Sequence, residues 1–200
     1  AASARRISGS ASALDGGHAH AIAISTDTVG PRSGTITVNS TAQQVADNNF
    51  SQDIAYTVLD HADPSFAADA DQTSATVDFG YVPIGSASRS IPLSIFNRVT
   101  TPGYTARLDV TSVTSTGDST AISTSAGTFS NLAAGQSSAF AAQLDASSAG
   151  VFSTTTTLAT SDENLPGAAS DANLVINATA RVFSAADFPA SGFLDLPAQQ

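Results

Sequence analysis

Two hundred residues leave room for one or two domains, and the chain contains no Cys, Met, Trp or Lys. The missing Cys excludes disulfides, thiolate nucleophiles and Cys-ligated zinc or iron–sulfur centres, and the missing Lys excludes Schiff-base chemistry, P-loop phosphate binding and Lys–Asn isopeptide cross-links. Seventeen acidic residues against seven arginines give a net charge of −10, which repels nucleic acid and anionic membrane alike.

The start, Ala1 to Ser10, lacks the apolar core of a signal peptide, and a chain without methionine is expected to be a processed or excised segment. No window reaches the roughly 18 consecutive apolar residues of a membrane span. A hydrophobic fraction of 42% with regular alternation argues for folded structure over disorder, despite the abundance of Ser and Thr. Richness in Ser and Thr, an acidic balance and the absence of Cys and Lys together fit an exported or cell-surface bacterial protein.

The first chemistry-bearing residues are His18 and His20, two apart, which places them on one face of a strand in parity with Ile22 and Ile24. That parity points to a strand mouth rather than to a metal site. Next comes an internal repeat. At an offset of 120 residues, Gly30 to Ser40 lies over Gly150 to Thr160, and Ile54, Tyr56 and Val58 lie over Leu174, Ile176 and Ala178. Residues 63–183 then form one complete unit of a size usual for a β-sandwich, and residues 1–62 match only its C-terminal half. A half sandwich leaves its inner face and strand edges uncovered. Three explanations stay open: a piece of a longer repeat array, completion by another chain's strands, or a smaller sandwich that closes on itself.

At the join of the two units stand Asp60, His61, Asp63, Asp69 and Asp71. Four carboxylates there could hold calcium between tandem sandwiches, though they follow neither the EF-hand spacing nor the Gly-rich nonapeptide repeat. Whether Asp60, Asp63, Asp69 and Asp71 bind calcium is left open, solvated linker acids being the plainer reading. Strands are expected at Ala75–Phe79, at Ser88–Asn97 with Ile91, Leu93 and Ile95 on one face, and at Thr105–Val113, Ser138–Leu144, Phe152–Thr160 and Ala172–Arg181. Turn residues separate them, as at Thr101-Pro-Gly, Thr116-Gly-Asp and Asn164-Leu-Pro-Gly. The best helical stretch, Leu132–Ala142, is broken by Gly135, so the chain reads as all-β. A second acidic group, Asp162, Glu163 and Asp171, falls in the long loop before the last strand, and the apolar tail 184–200 carries Phe188, Phe193, Leu194 and Leu196 as a possible interaction segment.

The phrase Val77-Asp-Phe-Gly-Tyr-Val-Pro-Ile-Gly-Ser86 resembles the entry motif of the choice-of-anchor D repeats, bacterial relatives of the abnormal-spindle-type immunoglobulin-like domains. Leu132-Ala-Ala-Gly-Gln-Ser-Ser-Ala-Phe140 is similar to their central turn and strand. The resemblance implies immunoglobulin-like antiparallel β-sandwich repeats with structural or adhesive work outside the cell. In the motif itself, Phe79 suits the plug at one end of a sandwich, Gly80 and Gly85 permit turns, and Pro83 fits an edge.

Little else carries chemistry. A Ser–His–Asp triad would need a nucleophile elbow, and no Gly-x-Ser-x-Gly occurs. Asn39, Asn49 and Asn177 open glycosylation triplets that are common by chance in Ser/Thr-rich chains. Tyr81 and Tyr104 lie near expected loops, as sugar-stacking residues do. The chain is therefore expected to be a non-enzymatic extracellular structural or filament-forming assembly protein. No catalytic, cofactor or metal residues are assigned, and self-association or neighbouring repeats are the expected partners. The alternative is an adhesin-type module for glycan or protein, or an accessory domain of a larger secreted protein.

Overall fold

The computed structural model describes residues 24–38 and 50–184. The chain divides into two units, Ala1–Asp60 and His61–Gln200. All regular elements among the described residues are strands.

In the first unit, β1 (Gly30–Val38) pairs antiparallel with β2 (Phe50–Val58), from Gly30 opposite Val58 to Val38 opposite Phe50. Two β-branched or aromatic strands suit a pleated ribbon, and Thr35 donates its hydroxyl to Asp53 across the pair at 2.7 Å. The Tyr56 hydroxyl donates to the Ser25 carbonyl at 2.9 Å.

The second unit is a sandwich of two sheets. It contains β3 (Pro64–Ser65), β4 (Ser74–Pro83), β5 (Arg89–Asn97), β6 (Leu108–Gly117), β7 (Ile122–Thr124), β8 (Phe129–Leu132), β9 (Ser137–Leu144), β10 (Gly150–Asp162) and β11 (Leu174–Phe183). One sheet runs β4-β11-β10-β6-β8 and the other β3-β5-β9-β7. From β4 to β10 each connection crosses to the other sheet, and only β10 and β11 form a hairpin within one. Such crossing lets inward residues of both sheets share a single core.

Period 2 decides what faces that core. Val77 and Phe79 of β4, Ile95 of β5, Leu108 and Val110 of β6, Phe140, Ala142 and Leu144 of β9, and Leu174, Ile176, Ala178, Ala180 and Val182 of β11 are all buried. In β5 the expected face holds, with Ile91 and Leu93 partly covered and Ile95 fully so. β10 continues the alternation through polar residues: Thr154, Thr156, Leu158, Thr160 and Asp162 all point inward. Buried hydroxyls need partners, and Thr156 finds Ser115 Oγ at 2.8 Å while Thr160 donates to the Ala172 carbonyl at 2.8 Å.

Two details refine the sequence reading. The pairing is antiparallel throughout the unit except for β4 against β11, which is parallel, so that sheet is mixed. The Thr105–Val113 strand runs instead over Leu108–Gly117 as β6, because the turn after β5 extends through Tyr104, whose amide donates to the Thr101 carbonyl at 2.9 Å. β4 is an edge strand, where Pro83 needs no ladder donor, and Gly80 at φ +67° carries the register shift beside Thr179 and Arg181. Asp78 fixes that shift by accepting the Gly80 amide at 2.9 Å.

The two hairpins open alike, on a glycine opposite a valine. β1 opens at Gly30 opposite Val58, and β10 opens at Gly150 opposite Val182. The first strands thus superpose at the offset of 120 residues, while the second superpose at 124, so Ile54, Tyr56 and Val58 overlie Ala178, Ala180 and Val182. The intervening loop is four residues shorter in the first copy; an even difference keeps the same side chains on the same face.

Candidate functional site

The end of the sandwich where β10 finishes gathers residues that are far apart in the chain. β10 and the segment after its loop stay paired beyond the strand: Ser161 bridges Ser170, the Asp162 amide donates to the Ala169 carbonyl at 3.0 Å, and the Asp171 amide donates to the Thr160 carbonyl at 3.0 Å. This pairing makes Asp162 and Asp171 diagonal neighbours on the inward face.

His61, the first residue of the second unit, closes the group. Its Nδ1 lies 2.7 Å from Asp162 Oδ2, and the Ala62 amide donates to Asp162 Oδ1 at 2.7 Å. The Ala169 amide adds a third contact to Asp162 Oδ2, at 3.1 Å. The Asp162 side chain is only 7% exposed, whereas that of His61 is 64% exposed. One donor atom each from His61, Asp162 and Asp171 lies within 4.8 Å of the others, and no other such trio occurs among the described residues.

Asp171 is the unusual member. Its Oδ2 is buried and accepts no hydrogen bond. Burial raises its pKa from 3.8 to about 6, the Asp162 carboxylate and Asp63 push the same way, and His61 opposes them. Asp63 itself is engaged by Arg98, with Nη1 3.1 Å from Oδ2, and its amide donates to the buried Asn97 Oδ1 at 3.1 Å.

Two acidic groups that the sequence keeps separate therefore meet here in part. From the first, His61 and Asp63 come to this end; from the second, Asp162 and Asp171 do. Glu163 turns aside and accepts the Arg107 amide at 3.1 Å. Asp69 and Asp71 are exposed on a loop that Ser65 holds through its hydroxyl, which donates to the Ala70 carbonyl at 2.7 Å and accepts the Gln72 amide at 3.0 Å. Asp60 belongs to the other unit. One signal for the site was present in the sequence: the alternation Thr154, Thr156, Leu158, Thr160 reaches Asp162 at its next step.

Tyr81 sits on β4 rather than in a loop, 69% exposed, with the Arg181 guanidinium 5.4 Å from its ring centroid. Tyr104 lies after the end of β5, whereas Tyr81 lies near the connection that enters β5, so the two mark opposite ends of the sandwich. Asn177 is on β11, where its Oδ1 accepts the Thr155 hydroxyl at 3.1 Å. His18, His20, Asn39, Asn49 and the apolar tail beyond Ser184 lie outside the described residues.

No protein-family model and no curated protein matches the chain. The resemblance to the choice-of-anchor D repeats therefore rests on the sequence motifs alone, Val77–Ser86 and Leu132–Phe140. Among solved structures, the chain is similar to the VesB protease of Vibrio cholerae at 16% identity and a TM-score of 0.39, covering 60% of this chain and 31% of that one. The chain thus spans about a third of that structure's length. It is also similar to domains 4 and 5 of the S-layer protein SbsC at 13% identity and a TM-score of 0.30, covering 78% of this chain and 71% of that one. At such low identities and TM-scores neither likeness carries a functional argument.

Proposed function

We propose that this chain is a non-enzymatic structural module of a bacterial extracellular or cell-surface protein, built of immunoglobulin-like repeats that assemble by completing one another's sheets. The observation that supports the reading is the β1–β2 hairpin, a nine-residue antiparallel pair that, like β10–β11, opens on a glycine opposite a valine. In the second unit, β4 flanks β11, β6 flanks β10, and the opposite sheet covers their inner face. Around β1 and β2, no further strand is paired among the described residues, and Ile36, Ile54 and Tyr56 are only half-buried. A two-stranded ribbon is marginal in water, and its edges are templates for further strands. Strands from a neighbouring copy would supply further ladders and cover to this ribbon. The Ser/Thr-rich, Cys-free composition and net charge of −10 fit an exported protein kept soluble by its surface.

Light scattering after size exclusion tests this on the full chain. Assembly by complementation gives masses above 20 kDa that rise with concentration, and deletion of residues 1–60 abolishes them while the unit that begins at His61 stays folded. A monomer at all concentrations, or assembly unchanged by the deletion, refutes it. A second reading, an adhesin-type module for glycan or protein, is favoured by the exposed Tyr81 stacked with Arg181 on the outer face. It requires saturable binding that is lost on Tyr81→Ala.

A further inference from the structure

We propose that His61, Asp162 and Asp171 bind a divalent transition-metal ion of the zinc class, stapling the segment that enters the sandwich to the loop that follows β10. The three donor atoms already lie within 4.8 Å of one another. Ligand distances of about 2.0–2.2 Å place tetrahedral donors roughly 3.3–3.6 Å apart, so capture needs only a small inward movement.

The second observation is the Asp171 Oδ2 atom. It is buried with no hydrogen-bond donor directed at it. An ionised carboxylate oxygen in that state is costly, and a cation at the centre of the trio removes the cost. Arg98 does not serve, because its guanidinium is directed to Asp63.

Donor chemistry selects the ion. One imidazole nitrogen with two carboxylates matches zinc and its first-row neighbours, whereas calcium takes six to eight oxygens. The supporting shell is in place. The Ala62 and Ala169 amides hold Asp162, and the Thr160 carbonyl holds the Asp171 amide. The exposed side of His61 leaves room for water in the remaining coordination position.

The test is isothermal titration of the full chain with zinc chloride, and with calcium chloride in parallel, in a His18→Ala/His20→Ala background that leaves His61 as the sole histidine. The proposal expects one zinc per chain, affinity lowered at least tenfold by either His61→Ala or Asp171→Asn, and an Asp69→Asn control that binds as the parent does. His61→Ala changes an exposed side chain and keeps the test valid should Asp171→Asn fail to fold. Zinc binding absent from the background, zinc binding that survives both substitutions, or calcium bound in preference to zinc each overturn the proposal.

Discussion

Asn97 ties the same end of the sandwich together and offers a sharp test of the packing account. Its side chain is fully buried at the end of β5. Nδ2 donates to the carbonyls of Ala106 and Leu132, both at 2.9 Å, and Oδ1 accepts the Asp63 amide at 3.1 Å. One amide thus joins the segment before β3, the turn after β5 and the end of β8. Asn97→Ala removes all three bonds and takes a buried partner from three backbone groups. A buried orphan costs about 1–3 kcal/mol; taking the full value for the Ala106 carbonyl and a smaller one for the two part-buried groups gives about 3–4 kcal/mol. Urea unfolding followed by far-UV circular dichroism reads this directly. With a slope of about 1–3 kcal/mol per molar, the midpoint falls by at least ~1 M. Asn97→Asp keeps the shape and the acceptor but turns a carboxylate toward two carbonyls, so it loses more stability at pH 7 than at pH 4. An Asn97→Ala variant within about 1 kcal/mol of the parent at unchanged slope would refute the reasoning.

Three further outcomes are expected. Gly117 has φ +86°, and a Cβ there would run into the Ser153 carbonyl oxygen, whereas Gly103 at φ +80° has open space around it. Gly103→Ala therefore costs about 1–2 kcal/mol from backbone strain alone, and Gly117→Ala costs more; equal losses in urea unfolding would contradict this. Leu158→Ala, at a fully buried position between the two sheets, costs about 2–5 kcal/mol in the same assay. In chelator-treated protein, the raised pKa of Asp171, caused first by burial, means that the folded state holds the proton more tightly than the unfolded state does. The resulting stabilisation is complete below 3.8 and is lost as the pH rises towards about 6. Asp171→Asn removes that slope and, with partial exposure allowed for, stabilises the metal-free protein at pH 7.5 by about 1 kcal/mol. Thermal melts of parent and variant across this range check the sign, which reverses if Asp171 is held ionised by its neighbours.

The strands were legible because their signal is local. Ile91, Leu93 and Ile95 alternate with Ser90, Pro92 and Ser94 whatever the rest of the chain does, and a half-buried strand requires only that alternation. Gly80, Gly85 and Gly135, which the sequence marks as breaks, all have positive φ. The match between β1 and β10 rests on the same local parity. Aligning the paired ends of the two hairpins moves the second strand by four residues from the 120-residue offset, because an even shift preserves parity and hydrophobic pattern alone cannot tell such registers apart.

Pairing between distant segments has no such local code. β4 lies parallel to β11 because both fill one face of the core, and neither sequence specifies the other's direction. The site shows the same limit. Asp162 could be placed inward from the alternation of β10, but His61, 101 residues earlier, meets it only because the two sheets pack and bring the entry segment over the end of that strand. The burial that orphans Asp171 Oδ2 likewise arises from neighbours that only the packed sandwich supplies. The sequence by itself determined the all-β character and the turns, because these depend on side-chain parity and backbone freedom. Which carboxylates converge, and how deeply they are buried, was decided by the tertiary structure, because charge proximity and desolvation belong to the space between strands.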